Sequence, residues 1–135
     1  MTTPTYFEQL LQAATMQPEP QRLLFVFAEA ELPADATPAQ RERFAAGQGG
    51  ALVPLACVDK APSDLTTFEA LVAESREASP PWQAVFIAGL PGQGGRAPSP
   101  QAIDAALKAM VEAVRLGRFG GYLALGPTGE PLTFS

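Results

Sequence analysis

The chain has 135 residues, a length that suits one domain built around a single core. Its 14 acidic residues outnumber the 9 basic ones, and no run of lysine or arginine could neutralise successive phosphates, so nucleic-acid binding is disfavoured. The absence of histidine excludes imidazole catalysis and histidine-ligated zinc, and the single cysteine, Cys57, excludes an internal disulfide and a multi-thiolate metal site. We therefore predict no metal and no cofactor.

Neither a membrane span nor a secretory signal is visible in the sequence. No apolar run approaches about 18 residues, and the first twelve residues lack a basic region followed by an apolar one. We expect a cytoplasmic protein that makes no contact with a membrane.

Capping signals and an apolar run define the first three elements. Thr5 and Glu8 form a capping box, which predicts that a helix begins there. Residues 21–31 contain a near-continuous apolar run, typical of a central strand covered on both faces. Thr37 and Gln40 flank a first-turn proline and predict a short helix, whose polar residues indicate that it lies on the outside.

The next strand and helix carry a proline and a second capping box. Residues 51–58 predict a strand that contains Pro54. Because proline cannot donate a hydrogen bond to a neighbouring strand, we expect this strand to lie at an edge of the sheet or to begin after Pro54. Thr66 and Glu69 then predict a third helix with a capping box at its start.

The last third of the chain reads as strand, loop, helix and hairpin. Residues 82–89 predict a buried strand, and a glycine-rich loop follows over residues 90–98. Ser99 is the expected cap of a fourth helix that ends near Gly117. The proline and glycines of residues 126–129 predict a turn that joins two closing strands.

This order of elements predicts a single α/β domain over residues 1–135. We expect a sandwich with a mostly parallel or mixed sheet of about five strands, helices packed on it, and a C-terminal β-hairpin. In the alternative arrangement the first two strands are antiparallel and joined by the polar helix, within a mixed α+β sheet.

Parallel strands would bring their carboxyl ends, and any ligand crevice, to one edge of the sheet. The residues expected to bind a ligand there are Gly92, Gly94, Gly95, Arg96, Ser99, Glu29, Glu31 and Asp59. The loop fits the pattern G-x-G-x-x-A before a capped helix, whose first N–H groups suit an anion. It follows the third strand rather than the first and lacks the ending of a P-loop, so a dinucleotide site is disfavoured. An anion contact through Arg96 and a plain connecting loop both remain open.

The remaining polar residues that could act in a site can also be explained by structural roles alone. Glu29 and Glu31 are two residues apart and would face the same side of a strand, as a close carboxylate pair, as half of a metal site with Asp59 as a third ligand, or as two solvated groups. Asp59 and Lys60 read as a surface pair. Cys57 lies in an apolar run, which predicts a buried, inert thiol that fills the core.

Three segments carry a resemblance to a known family: residues 17–27, residues 57–60 and residues 94–99. With them, nearly the full chain resembles a small proteobacterial family whose members often carry the label "ribonucleotide reductase subunit alpha". The catalytic subunit of that name is a large barrel protein that needs several redox cysteines, and this chain has one, so it is not that enzyme. The resemblance implies a cytoplasmic protein and brings no catalytic residues with it.

Two functions follow from these observations. The first is a non-catalytic accessory module that binds a small ligand, a partner protein or a second copy of itself. The alternative is an enzyme or sensor that binds a small anionic metabolite at residues 89–99, with Glu29, Glu31 or Asp59 as general base.

Overall fold

The computed structural model describes residues 5–32, 34–46, 51–118 and 120–132. Within these ranges the helices are α1 Tyr6–Thr15, α2 Pro38–Ala45, α3 Phe68–Ala78 and α4 Pro100–Arg115. The strands are β1 Gln21–Glu31, β2 Ala51–Lys60, β3 Ala84–Pro91 and β4 Leu123–Leu125. A short 3-10 helix, Pro62–Asp64, lies between β2 and α3.

The strands form one antiparallel sheet in the order β2-β1-β3-β4. The prediction of a mostly parallel or mixed sheet of about five strands is therefore wrong, because β1 is antiparallel to both of its neighbours and β4 is antiparallel to β3. The alternative was right that the first two strands are antiparallel, although the sheet is not mixed. The strands β2 and β3 do run in the same direction, but β1 lies between them, so β2–α3–β3 is a crossover that skips one strand.

The connection between β1 and β2 explains why these strands are antiparallel neighbours. A parallel pair needs a crossover helix that packs on the sheet. The connecting helix α2 has no buried residue, as its polar sequence predicted, and it lies on the outside.

The C-terminal hairpin is present only in part. After β4 the chain turns back, and the N–H of Leu132 donates to the carbonyl of Ala124 over 2.9 Å. Within the described residues the returning arm makes only an isolated bridge between Leu125 and Pro131, which is closed by this bond and by the N–H of Gly126, a donor to the carbonyl of Glu130 over 2.8 Å. The rest of the predicted arm, residues 133–135, lies outside the described ranges.

Alternate residues of β1 supply two hydrophobic clusters on opposite faces of the sheet. One face, which we call the helix-pair face, is covered by α1 and α3 and contains Leu23, Phe25 and Phe27 of β1. The other, the single-helix face, is covered by α4 and contains Leu24, Val26 and Ala28. Side chains alternate between faces along a strand, so a strand covered on both faces reads as a continuous apolar run. The predicted positions of β1 at the centre and β2 at an edge are confirmed.

The helix starts follow the sequence signals closely. Thr5 accepts the N–H of the third helical residue in α1 over 3.1 Å, Thr37 forms a complete capping box in α2, and Ser99 caps α4. In the third helix the cap is Thr67 rather than Thr66, one residue later than the predicted box.

Candidate functional site

The antiparallel sheet separates the residues that were expected to gather at one edge. Glu29 lies opposite Val53 on β2, whereas Asp59 lies opposite Leu24. The two positions are five residues apart along β1, a distance of roughly 17 Å on an antiparallel strand. Glu31 lies further along β1 in the same direction as Glu29. These two carboxylates therefore cannot act as a base for a ligand bound at the other end of the sheet.

Asp59 does lie at the same end of the sheet as the glycine-rich loop, because β2 and β3 run in the same direction. Its carboxylate accepts a hydrogen bond from Nε of Arg22 over 2.7 Å. Lys60 pairs with Glu74 of α3 over 2.6 Å. The predicted surface pair of Asp59 with Lys60 is wrong, because neighbouring strand residues face opposite sides of the sheet.

The glycine-rich loop contains a tight two-residue turn. Gln93 and Arg96 exchange two backbone hydrogen bonds of 3.0 Å, and Gly94 and Gly95 between them have φ angles of 59° and 79°. Two consecutive positive φ angles define the hairpin turn that favours glycine. The N–H of Gly95 donates to the carboxylate of Glu19 over 2.7 Å. The position that an anion could take on this N–H is thus held by the chain's own carboxylate.

The other loop residues also have structural roles. The N–H of Gly92 donates to the carbonyl of Pro20 over 2.8 Å, and an added Cβ at Gly92 would lie 1.8 Å from the carbonyl oxygen of Arg96. Ser99 uses its hydroxyl to cap α4. The Arg96 residue is exposed. Ligand binding by these residues stays a prediction.

A cleft of about 700 Å³ opens at a place where the sequence predicted no site. Three segments line this N-terminal cleft: residues 5–8 at the start of α1, residues 66–69 at the start of α3, and residues 128–131 after β4. The rings of Phe7 and Phe68 lie with their centroids 5.4 Å apart and hold the two helix starts together. Clefts of this volume fall within the range of small-molecule sites.

Among the described residues, the charged ones that line the N-terminal cleft are all acidic: Glu8, Glu69 and Glu130. Glu8 and Glu69 lie in the first turns of α1 and α3, where their negative charge offsets the positive ends of the helix dipoles. Glu130 is not in a helix, so its charge has no such offset. The described lining therefore has a net negative charge.

Glu130 is held in its ionised form by its neighbours. The hydroxyl of Thr128 donates to its carboxylate, and the N–H of Thr128 approaches the same oxygen at 3.2 Å. The Thr128 hydroxyl is the largest cause, and the backbone N–H of Glu130 the next, of a pKa below the ordinary value of a glutamate. Slight burial opposes the change without reversing it.

The chemistry of this lining suits a cationic group. Carboxylates accept strong hydrogen bonds from ammonium and guanidinium groups, and aromatic faces attract the same cations. Tyr6 is 52% exposed at the start of α1 and presents an aromatic ring to such a ligand. No group of three or more histidine, cysteine, aspartate or glutamate residues in the described part of the chain is arranged to hold a metal ion.

The sequence shows each of the three segments that line this cleft, but it does not show that they lie next to one another. The boxes near Thr5 and Thr67 each mark a helix start, and residues 126–129 mark a turn. The three segments are far apart in the chain. Phe7 packs on Phe68 and joins the two helix starts, and Gly129 of the turn lies beside the Phe68 ring. The local signal is a phenylalanine in the first turn after each of these two threonine caps, Phe7 after Thr5 and Phe68 after Thr67.

Cys57 is exposed, so its prediction as a buried core residue is wrong. It lies opposite Val26 on the single-helix face, but in the edge strand β2. Val26 at the centre of the sheet is fully buried, whereas the side chain at the edge is open to solvent.

Comparison of the chain with protein-family models, with curated proteins and with solved structures finds no match. The resemblance noted from the sequence accordingly stays a prediction. In the ranges that the structure describes, no helix combines the length and the apolar character needed to cross a membrane.

Proposed function

We propose that the protein is a non-catalytic binding module whose ligand presents an ammonium or guanidinium group to the N-terminal cleft. The observation that carries this proposal is the cleft itself, a concave space of about 700 Å³ whose described lining residues include three carboxylates and no basic side chain. The ligand enters between the starts of α1 and α3 and places its cation near Glu130.

The two helix starts and the turn have different roles in binding. Glu8 and Glu69 reduce the repulsion that the positive helix ends would exert on a cation. Glu130 accepts the hydrogen bonds of the ligand through its ionised carboxylate, whose pKa lies below the ordinary glutamate value. The exposed ring of Tyr6 packs against the aliphatic or planar part of the ligand.

We propose a non-catalytic function because the catalytic and binding residues expected from the sequence have structural contacts or lie far apart. Asp59 is paired with Arg22, Ser99 caps a helix, and Glu29 lies at the opposite end of the sheet from the glycine-rich loop. The alternative of an anionic ligand stays a prediction. No contact among the described residues supports it, because the N–H of Gly95 in the loop already donates to Glu19.

A thermal-shift screen with matched variants tests the proposal. The probes are agmatine and spermidine as free amines, lysine- and arginine-rich peptides as models of a partner's side chains, and nucleotides and phosphorylated sugars as anions. A ligand that prefers the folded state raises the melting temperature, by an amount that grows with its concentration relative to Kd. We expect cationic probes to raise the melting temperature of the wild type and of Glu42→Gln, an exposed control on α2, but not of Glu130→Gln.

The outcomes separate the possible sources of the cation. A response to free amines indicates a small-molecule ligand, and a response to peptides alone indicates a partner protein. A wild type that responds to no cationic probe overturns the proposal, as does an equal response in Glu130→Gln. A response confined to nucleotides or phosphorylated sugars restores the anionic alternative.

A further inference from the structure

The two edges of the sheet differ in how they are covered. Beyond β4 the chain folds back, and Pro131 and Leu132 pair with Leu125 and Ala124 on the outer side of that strand. Beyond β2, no other segment within the described ranges pairs with the backbone of residues 51–60. One row of N–H and C=O groups along β2 is therefore available for pairing.

The composition of β2 makes this edge suitable for another strand. Residues 51–58 carry no charge, and all ten residues of the strand are at least partly exposed. Natural edge strands are usually protected by charges, prolines or bulges. In β2 the protection consists of Pro54 and of an irregularity at Leu55, where the register against β1 shifts between Phe27 and Ala28.

The same irregularity makes β2 symmetric in the faces that its side chains take. Judged by their β1 partners, residues 52, 54, 57 and 59 lie on the single-helix face, and residues 53, 56, 58 and 60 lie on the helix-pair face. The extra residue, Leu55, inverts the alternation at the middle of the strand. The pattern of faces consequently reads the same in both directions from the midpoint between residues 55 and 56.

The bulge fixes the register in which a second copy of β2, related by a two-fold axis perpendicular to the sheet, can pair along the whole strand. Such an axis places residue 52 opposite residue 59 of the other copy, 54 opposite 57, and 53 opposite 58. Both members of each pair lie on the same face, as an antiparallel ladder requires. A regular strand without the bulge would set residues of opposite faces against each other in this register.

The charges at the two ends of the seam are complementary. In this register Lys60 of one copy, whose ammonium also pairs with Glu74 of its own α3, lies opposite Ala51 of the other. Ala51 is the partner of Glu31 in the neighbouring strand β1. Lys60 and Glu31 are then about 10 Å apart across two strand spacings, with only the small alanine between them. Glu31 is exposed and makes no ion pair within the described residues, so it is open to this contact.

We propose that two copies of the chain join through β2 and form a continuous antiparallel sheet of eight strands, four from each copy. The seam is held by backbone hydrogen bonds along β2 and by the contact of Lys60 with Glu31 of the other copy at each end. This interface does not depend on the N-terminal cleft.

Engineered disulfides test the register directly. The variant Pro54→Cys places a thiol opposite Cys57 of the second copy, where the Cβ atoms lie about 4.5–5.5 Å apart, and small shifts bring them within disulfide reach. We expect oxidation to give a covalent dimer on a non-reducing gel. The control Val53→Cys faces the other side of the sheet and should not cross-link, and Pro54→Cys combined with Cys57→Ala should lose the dimer band.

Sedimentation velocity of chains that retain Pro54 supplies an independent measurement. We expect the wild type to dimerise with rising concentration, and Glu31→Lys to raise the dimer Kd by about tenfold because two symmetric contacts change at once. Glu77→Lys, an exposed charge reversal on α3, should leave the Kd unchanged. A wild type that stays monomeric at millimolar concentration overturns the proposal, as does a dimer in which Pro54→Cys and Val53→Cys cross-link equally or not at all.

Discussion

The indole N–H of Trp82 donates to the hydroxyl of Ser75 over 2.8 Å, and both side chains are buried. The hydroxyl of Ser75 in turn donates to the carbonyl of Val72 over 2.7 Å. Trp82 also packs against Phe27, with ring centroids 5.1 Å apart. These contacts join α3 to the start of β3 and to the central strand β1.

Replacement of Ser75 by alanine leaves the buried N–H of Trp82 without a partner. We expect Ser75→Ala to lower the free energy of unfolding by about 1–3 kcal/mol, the cost of an unpaired buried donor. Urea unfolding followed by circular dichroism measures the change. The exposed Ser63→Ala serves as control and should stay within about 0.5 kcal/mol of the wild type. In a Trp82→Phe background, which has no indole donor, Ser75→Ala should cost clearly less; an equal cost in both backgrounds contradicts the assignment.

Gly92 is required by the close approach of two backbone segments. A Cβ at this position would lie 1.8 Å from the carbonyl oxygen of Arg96, and a backbone atom cannot move aside as a flexible side chain can. We expect Gly92→Ala to destabilise the fold by about 2 kcal/mol or more. Gly120→Ala, whose Cβ would meet open space, is the matched control. Thermal melting of the two variants should differ by several degrees, and equal melting temperatures would show that the turn relaxes freely.

Glu19 fastens the glycine-rich turn through the N–H of Gly95. Removal of its carboxylate in Glu19→Ala should expose this N–H to solvent and speed its hydrogen exchange by about tenfold, the equivalent of about 1.4 kcal/mol in local opening. NMR-detected exchange of the Gly95 amide measures the effect. Glu42→Ala on the exposed helix α2 should leave that rate unchanged. No acceleration in Glu19→Ala would mean that the turn's own hydrogen bonds suffice.

The lowered pKa of Glu130 links the stability of the turn to pH. Because the folded-state pKa lies below the unfolded value, the stabilisation is fully present above the unfolded value and is lost as pH falls through the folded-state pKa. Thr128→Val removes the largest cause of the shift, so the pKa of Glu130 should rise toward the ordinary value. Carboxyl carbon NMR titration reads this pKa directly. Thr66→Val, which removes a hydroxyl from the same cleft, should leave the titration in place. The effect on stability is small because Glu130 is exposed.

Elements that depend on local chemistry could be predicted from the sequence. A helix cap is a contact between residues three apart, and the caps at Thr5, Thr37 and Ser99 are where the sequence places them. The third strand is less well predicted: it begins at Ala84 rather than at residue 82, because the Trp82 side chain packs against α3 and β1 outside the ladder.

Strand direction and the N-terminal cleft could not be predicted in this way. The apolar pattern of a strand covered on both faces is the same whether its neighbours run parallel or antiparallel. The β2–α3–β3 segment does join two strands of the same direction, but nothing in its sequence states that β1 lies between them. Likewise Glu8, Glu69 and Glu130 line one cleft because the starts of α1 and α3 pack together. No rule based on the spacing of residues along the sequence predicts this proximity.

The bridge between Leu125 and Pro131 limits how far the sheet can grow. A sheet whose two edges are both open can add molecules at either side and extend into a filament. Here the chain's own return pairs with Leu125 and Ala124 on the outer side of β4, so in the proposed dimer this return occupies the outer side of β4 at both ends of the joined sheet. Growth would stop at two molecules, which makes Pro131 and Leu132 a terminator of assembly as well as the end of a turn.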